Sequence, residues 1–182
     1  MTQTTFYNCY FFDGTNDQNQ TDTWFTVDDT GRITAIGHGT PTDTTDTVDL
    51  HGQYVMPGFI NVHTHITSDP DAFSGHFGGS ETESAVFAYE NLRTLLKSGV
   101  TYIRECGTTY DIDIKLKRLQ RQGKLPQTPH MMASGRAFSM TGGHGDGPHA
   151  AYLVDSQDEM RKAVRTAFKG GAESRSWRPV VS

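Results

Sequence analysis

Cysteine is nearly absent from this 182-residue chain: Cys9 and Cys106 are the two, and they have no CxxC spacing. That excludes a disulfide framework and fits a reducing compartment. Long hydrophobic runs are missing as well, and none approaches the roughly 20 residues needed to span a bilayer. The first ten residues, Met1 to Tyr10, lack the basic segment and apolar stretch of a secretory signal, so a cytoplasmic protein is expected. Charge of one sign is nowhere concentrated: the formal net charge is -5 with signs mixed along the chain. Without a basic stripe there is nothing to hold phosphate backbones, which argues against a nucleic-acid partner. What is present is a globular composition, 35% hydrophobic and 20% charged with 19 glycines, enough for one domain or for a small domain and part of a larger one.

Two organisations follow one another. Up to about residue 55, short strand candidates alternate with turn chemistry: Thr4 to Phe12 before Asp13-Gly14, Thr23 to Val27 before Asp28 to Gly31, Arg32 to Ile36, and Val48 to Leu50 before His51-Gly52. This reads as a small β-subdomain with thin, mostly one-sided burial. From Tyr54 the pattern changes. Phe59 to His63 is a short apolar run suited to a buried strand, and Glu81 to Ser98 carries apolar residues at helical spacing until Gly99. Val100 to Ile103 is the next strand candidate, Asp111 to Gln122 a second helix, and Pro129 to Ala137 a third strand. The stretch Gly142 to Pro148 reads as an irregular loop, and Ser156, with Glu159 at capping-box spacing, opens a third helix to about Lys169. Strands alternating with helices of this length argue for βα units and a parallel sheet. A closed eight-unit barrel needs about 200 to 250 residues, so the chain holds less than half of one.

His63 and His65 stand two apart at the end of a predicted strand, whose side-chain period of two sends both imidazoles from one face. Neutral imidazole is a good zinc ligand, but a catalytic zinc usually takes at least three protein ligands, so the pair is half a site. The plainer reading of a strand-end histidine is a partly buried residue with a hydrogen-bond partner.

The segment Tyr54-Val-Met-Pro-Gly-Phe-Ile-Asn-Val-His-Thr-His65 resembles the first-strand signature of the amidohydrolase superfamily. Gly31-Arg-Ile-Thr-Ala-Ile-Gly37 is similar to the strand-turn segment of that family's N-terminal β-sandwich. Lys97-Ser-Gly-Val-Thr-Tyr-Ile-Arg-Glu-Cys-Gly107 and Gly142-Gly-His-Gly145 resemble the second barrel strand and a loop of its imidazolonepropionase-like and Xaa-dipeptidase-like branch. The resemblance implies an α/β fold, the N-terminal portion of a (β/α)8 TIM barrel preceded by part of a small β-sandwich subdomain. The expected divisions are 1–55 for the β-sandwich part, 56–172 for three βα units and 173–182 for a tail. It implies metal ligation by His63 and His65, with a divalent ion, zinc being the expected metal, as cofactor (one or two ions in the full-length family). It suggests that His144 lies in the substrate pocket, against the alternative of a solvated loop histidine. Arg104 and Glu105 stand where the branch usually has Arg-Asp; Arg104 is expected in a structural ion pair. His76 belongs either to a loop over the mouth or to a plain surface loop, His130 and His149 carry no motif, and Cys106 is expected to be buried packing. The remaining family ligands, a carboxylated lysine on the fourth strand, histidines on the fifth and sixth and an aspartate on the eighth, fall beyond this stretch.

After Ala172 the resemblance calls for an acidic residue and then an apolar strand bearing the lysine, whereas the chain reads Glu173 to Ser182 with Arg175, Arg178 and Pro179, which suit a central parallel strand badly. The tail is compatible with a shifted reading frame. One codon choice for Ser174 to Ser182 spells Ile-Lys-Val-Met-Ala-Ala-Ser-Gly-Val in the alternative frame, a question the genomic sequence decides. The expected activity is metal-dependent hydrolysis of a C–N bond in a cyclic amide, dipeptide or acylated amino acid. The alternative is a catalytically inactive fragment or pseudogene product, or a module completed by another polypeptide. A three-stranded parallel piece would leave sheet edges open, so self-association through them is expected.

Overall fold

The computed structural model describes residues 3–42, 46–69 and 79–174. His76 and the tail from 175 onward lie outside the described residues. The chain divides into two compact units, the first ending at Pro57 and the second beginning at Gly58.

The first unit is a four-stranded sheet in the order β3-β2-β1-β4, built from β1 (Gln3–Phe11), β2 (Gln20–Asp28), β3 (Ile33–His38) and β4 (Thr47–Val55). β1 and β2 are antiparallel, as are β2 and β3, whereas β4 runs parallel to β1. Its core is small: Cys9, Phe11 and Phe25 are buried, and Phe25 stacks on Phe6 with ring centroids 5.1 Å apart. Gly37 faces Trp24 across the β2–β3 pair, where a Cβ would come within 2.4 Å of the indole ring, so close packing excludes any larger residue. The turn expected at His51-Gly52 is absorbed inside β4. His51 and Gly52 take φ of 50° and 75°, and the β1–β4 register slips between Tyr7 and Cys9, so left-handed residues make a bulge and the strand continues to Val55. The Asp49 carboxylate holds the bulge by accepting the His51 amide and the Asn8 side-chain amide, each at 2.8 Å.

The second unit carries a parallel sheet in the order β5-β6-β7: β5 (Phe59–Thr64), β6 (Val100–Glu105) and β7 (His130–Met132). Helix α1 (Glu81–Lys97) begins with a full capping box, Ser80 and Glu83 satisfying each other's amides, and α2 (Ile112–Arg121) follows a 3-10 turn at Thr109–Asp111. These helices close a core of Ile66, Leu92, Ile103, Ile112, Leu116 and Met131. Helix α3 (Gln157–Gly170) starts at its Ser156 cap and stops at Gly171, whose φ is 108°.

Three differences from the sequence reading have physical causes. The third strand is split: β7 ends at Met132, and β8 (Ala137–Ser139) pairs with β9 (Ala151–Leu153) in a separate two-stranded sheet, β9 being a strand that no pattern announced. The break falls where the Asp113 carboxylate accepts the amides of Ser134 and Gly135, turning the chain away from the sheet. β5, expected to be buried, has Phe59, Ile60 and Val62 exposed at 57%, 65% and 63%, because among the described residues it is an edge strand with a partner on one side only. The stretch set apart as a tail from 173 is folded in at its start, since the amides of Glu173 and Ser174 both bond to the carbonyl of Ala133.

Candidate metal centre

The close approach of β5 to β6 begins at Gly58, where a Cβ would sit 2.1 Å from the Thr101 side chain. Parallel pairing then carries β5 to a C-terminal end at Thr64, opposite Glu105. His63 and His65 are brought together there, their ring centroids 5.2 Å apart and the rings edge to face at 72°. They line a cleft of about 330 Å³ between β5 and α1, together with Asn61, Thr64 and Asn91. Asn91 fixes the turn that follows the strand, its side-chain amide donating to the carbonyls of Ile66 (2.9 Å) and Ser68 (3.2 Å). The Asn61 carboxamide oxygen accepts the His63 amide at 3.1 Å.

His65 shows the chemistry a metal needs. Its Nδ1 lies 3.0 Å from the Gly107 carbonyl, and since a carbonyl can only accept, Nδ1 carries the proton. A neutral imidazole protonated there has its lone pair on Nε2, the arrangement of a metal-ligating histidine held by an outer hydrogen bond. The pair therefore fits a divalent ion in donor type, and His65 fits it in tautomer as well. It does not fill a coordination shell, because the described residues contain no group of three or more His, Cys, Asp or Glu side chains placed to hold an ion.

Glu105 is fully buried behind this strand end. One carboxylate oxygen accepts the Thr64 hydroxyl (3.0 Å) and the Ile66 amide (3.2 Å), and the other accepts the amides of Cys106 (3.2 Å) and Gly107 (3.3 Å). Burial, reinforced by the nearby Asp113 carboxylate, pushes its pKa up to about 8 against the lowering effect of these bonds. A carboxyl raised on folding contributes stability that is complete below its unfolded value near 4.5 and is lost as pH rises through about 8. Urea unfolding of the metal-free chain is therefore expected to weaken between pH 5 and 9 by on the order of 4 kcal/mol from this group. Glu105→Gln should flatten that dependence, and an equal slope in the variant would remove Glu105 as its source.

The other singled-out residues do not line the cleft. His144 is exposed in the loop between β8 and β9, where its carbonyl accepts the Ser139 hydroxyl at 3.0 Å, and it does not line the cleft. His149 stacks on Tyr110 with centroids 4.4 Å apart, and His130 is an exposed position of β7. Cys106 is buried, as is Cys9, and neither is in a disulfide. Arg104 departs from expectation. Among the described residues it makes no ion pair and donates instead to the Val62 carbonyl (3.3 Å) and to the Cys106 sulfur (3.2 Å). The adjacent carboxylate, Glu105, is engaged by the turns on either side of it. Neither the Gly107 carbonyl nor Asn91 had a sequence signal, since backbone acceptors and turn braces are selected only by tertiary contact.

A parallel βα sheet that follows a small β-unit in the sequence, with a His-x-His pair ending its first strand, is the layout of the first part of an amidohydrolase barrel. The family model for the amidohydrolase family matches residues 54–178, and the chain belongs to that family. Members of it are generally metal-dependent. Among solved structures, the chain is similar to a Xaa-Pro dipeptidase with methionine bound in its active site, at 26% identity and a TM-score of 0.83 over 97% of this chain and 47% of that one. It is similar also to a prolidase complexed with N-methylphosphonate-L-proline, at 25% identity and a TM-score of 0.81 over 97% and 46%. The A. niger ochratoxinase, at 19% identity, shares the fold with a TM-score of 0.76 over 96% and 46%. The chain thus spans about half the length of the solved structures it matches. No curated protein matches it, and no helix among the described residues is long and apolar enough to cross a membrane.

Proposed function

We propose that the chain supplies the first metal ligands, His63 and His65, of a metal-dependent hydrolase that cleaves a C–N bond in a cyclic amide, dipeptide or acylated amino acid. The observation that carries this reading is the Nδ1–H of His65 held on the Gly107 carbonyl beside His63. The likeness to a Xaa-Pro dipeptidase and a prolidase supports the dipeptide end of the substrate range. His63 and His65 would hold one or two divalent ions, zinc first among the candidates. Asn91 and Glu105 would keep their strand end in place. A divalent ion held there supplies Lewis acidity, polarising a carbonyl and activating water for attack. His144 enters this reading as a substrate-binding residue for a carboxylate or carbonyl. A cytoplasmic setting belongs to it as well and rests on Cys9 and Cys106 forming no disulfide.

A second reading is favoured by one observation: the described residues offer two imidazoles where a catalytic zinc usually takes at least three protein ligands, on a strand with an open edge. The chain would then be inactive alone, or be a module completed by another polypeptide or by a second copy. Elemental analysis of the purified chain for zinc and manganese, beside the His63→Ala/His65→Ala variant and a dipeptide-hydrolysis assay, separates the two. Stoichiometric metal that the variant loses, with turnover, supports the hydrolase reading for this chain. Metal lost in the variant without turnover supports the incomplete module. Equal metal in both proteins would remove His63 and His65 as ligands.

A further inference from the structure

We propose that Glu105 is a positioning residue whose carboxylate clamps together the two turns that set the orientation and tautomer of His65; the inference rests on reading His65 as a metal ligand. Each carboxylate oxygen serves one turn. Thr64 and Ile66, which flank His65, donate to Oε2 at 3.0 and 3.2 Å, the Thr64 hydroxyl also reaching the Arg104 carbonyl at 3.2 Å. Cys106 and Gly107 donate their amides to Oε1 at 3.2 and 3.3 Å. The carbonyl that takes the imidazole Nδ1–H is that of Gly107 itself. One buried side chain thus fixes both the backbone that carries the imidazole and the acceptor that orients it, across about 40 residues of sequence.

Glu105 does not hydrogen-bond the ring, since Oε1 lies 3.8 Å from Nδ1, but it is close enough for its charge to favour the Nδ1–H alongside its hold on Gly107. The peptide that carries the Gly107 carbonyl is held on its other side by the Thr108 amide, which donates to the Gly135 carbonyl at 3.1 Å, so the clamp acts at the amide side of Gly107. The φ of Gly107 is +142°, open to glycine, and a Cβ there would come within 3.2 Å of Ala137. Which imidazole nitrogen carries the proton follows from the partner of the other. Releasing Gly107 should therefore release the tautomer and with it the lone pair on Nε2. Glutamine in place of Glu105 keeps one acceptor oxygen and turns an amide NH₂ toward the other pair of donors, so one turn loses its hold.

The test is made on the full chain, labelled with 15N at histidine, at a pH above the titration of both imidazole and Glu105. The wild type should show His65 as the Nδ1–H tautomer. Glu105→Gln should shift it toward Nε2–H, and Glu105→Asp should recover part of the original signal. Leu116→Ala removes buried core from the same unit but none of the hydrogen bonds to Glu105, and should leave the His65 signals unchanged, as His63 should be in every variant. In parallel, zinc affinity measured by chelator competition should weaken about 10- to 100-fold in Glu105→Gln, and by less than about twofold in Leu116→Ala. Identical His65 signals in Glu105→Gln and wild type, or an equal shift in Leu116→Ala, would overturn the clamp. A tautomer shift in Glu105→Gln with no zinc bound by any form would uphold the clamp and overturn the metal reading. Zinc binding that Glu105→Gln leaves intact, with no tautomer shift, would do the reverse.

Discussion

Asp113→Ala should destabilise the second unit by on the order of 4 kcal/mol in urea unfolding, because it orphans four donors at once. Asp113 is fully buried. One oxygen accepts the Thr108 hydroxyl and the Ile114 amide, each at 2.8 Å, and the other accepts the amides of Ser134 (2.6 Å) and Gly135 (2.8 Å). Each donor left without a partner in the interior costs about 1 to 3 kcal/mol, partly relieved where water can enter. Asp113→Asn should fall between, since it keeps an acceptor for one pair and presents NH₂ to the other. A change below about 1 kcal/mol in the alanine variant would mean that these bonds do not survive in solution.

The second large effect is expected at Leu92, which is fully buried where α1 meets the sheet and α2, in one cluster with Ile66, Ile103, Ile112, Leu116 and Met131. Truncation to alanine removes the transfer free energy of the side chain and leaves a cavity between regular elements that cannot easily collapse, a loss of about 3 kcal/mol. Val86 supplies the contrast on the same helix, because it is exposed. Val86→Ala should change stability by no more than about 0.5 kcal/mol. Similar losses at both positions would mean that α1 does not present the face described here to the core.

The elements that were readable in the sequence are those fixed by local chemistry. Gly99 past the end of α1, and Ser156 with Glu159 at the start of α3, mark those helices within a residue or two of where apolar spacing placed them. The His-x-His pair was readable because strand period alone brings alternate side chains together. What stayed hidden depends on distant partners. The β7–β8 break is made by Asp113, about 20 residues earlier in the chain, and β9 is three residues that are a strand only because β8 lies beside them. The His51-Gly52 signal for a turn was sound as backbone chemistry, but β1 offered a bulge to receive it. Glu105 was visible as an acidic residue after a strand, while its four donors come from two turns that sequence spacing does not bring together.

The edge of β5 that has no strand partner among the described residues and the two imidazoles belong to the same six-residue strand and the residue after it. Extending the sheet and extending the coordination shell are consequently not separate events. Any parallel strand laid against that edge arrives with its own C-terminal end beside His63 and His65, so its sequence there decides which donors join them. Assembly at this edge would select the ion as well as the partner.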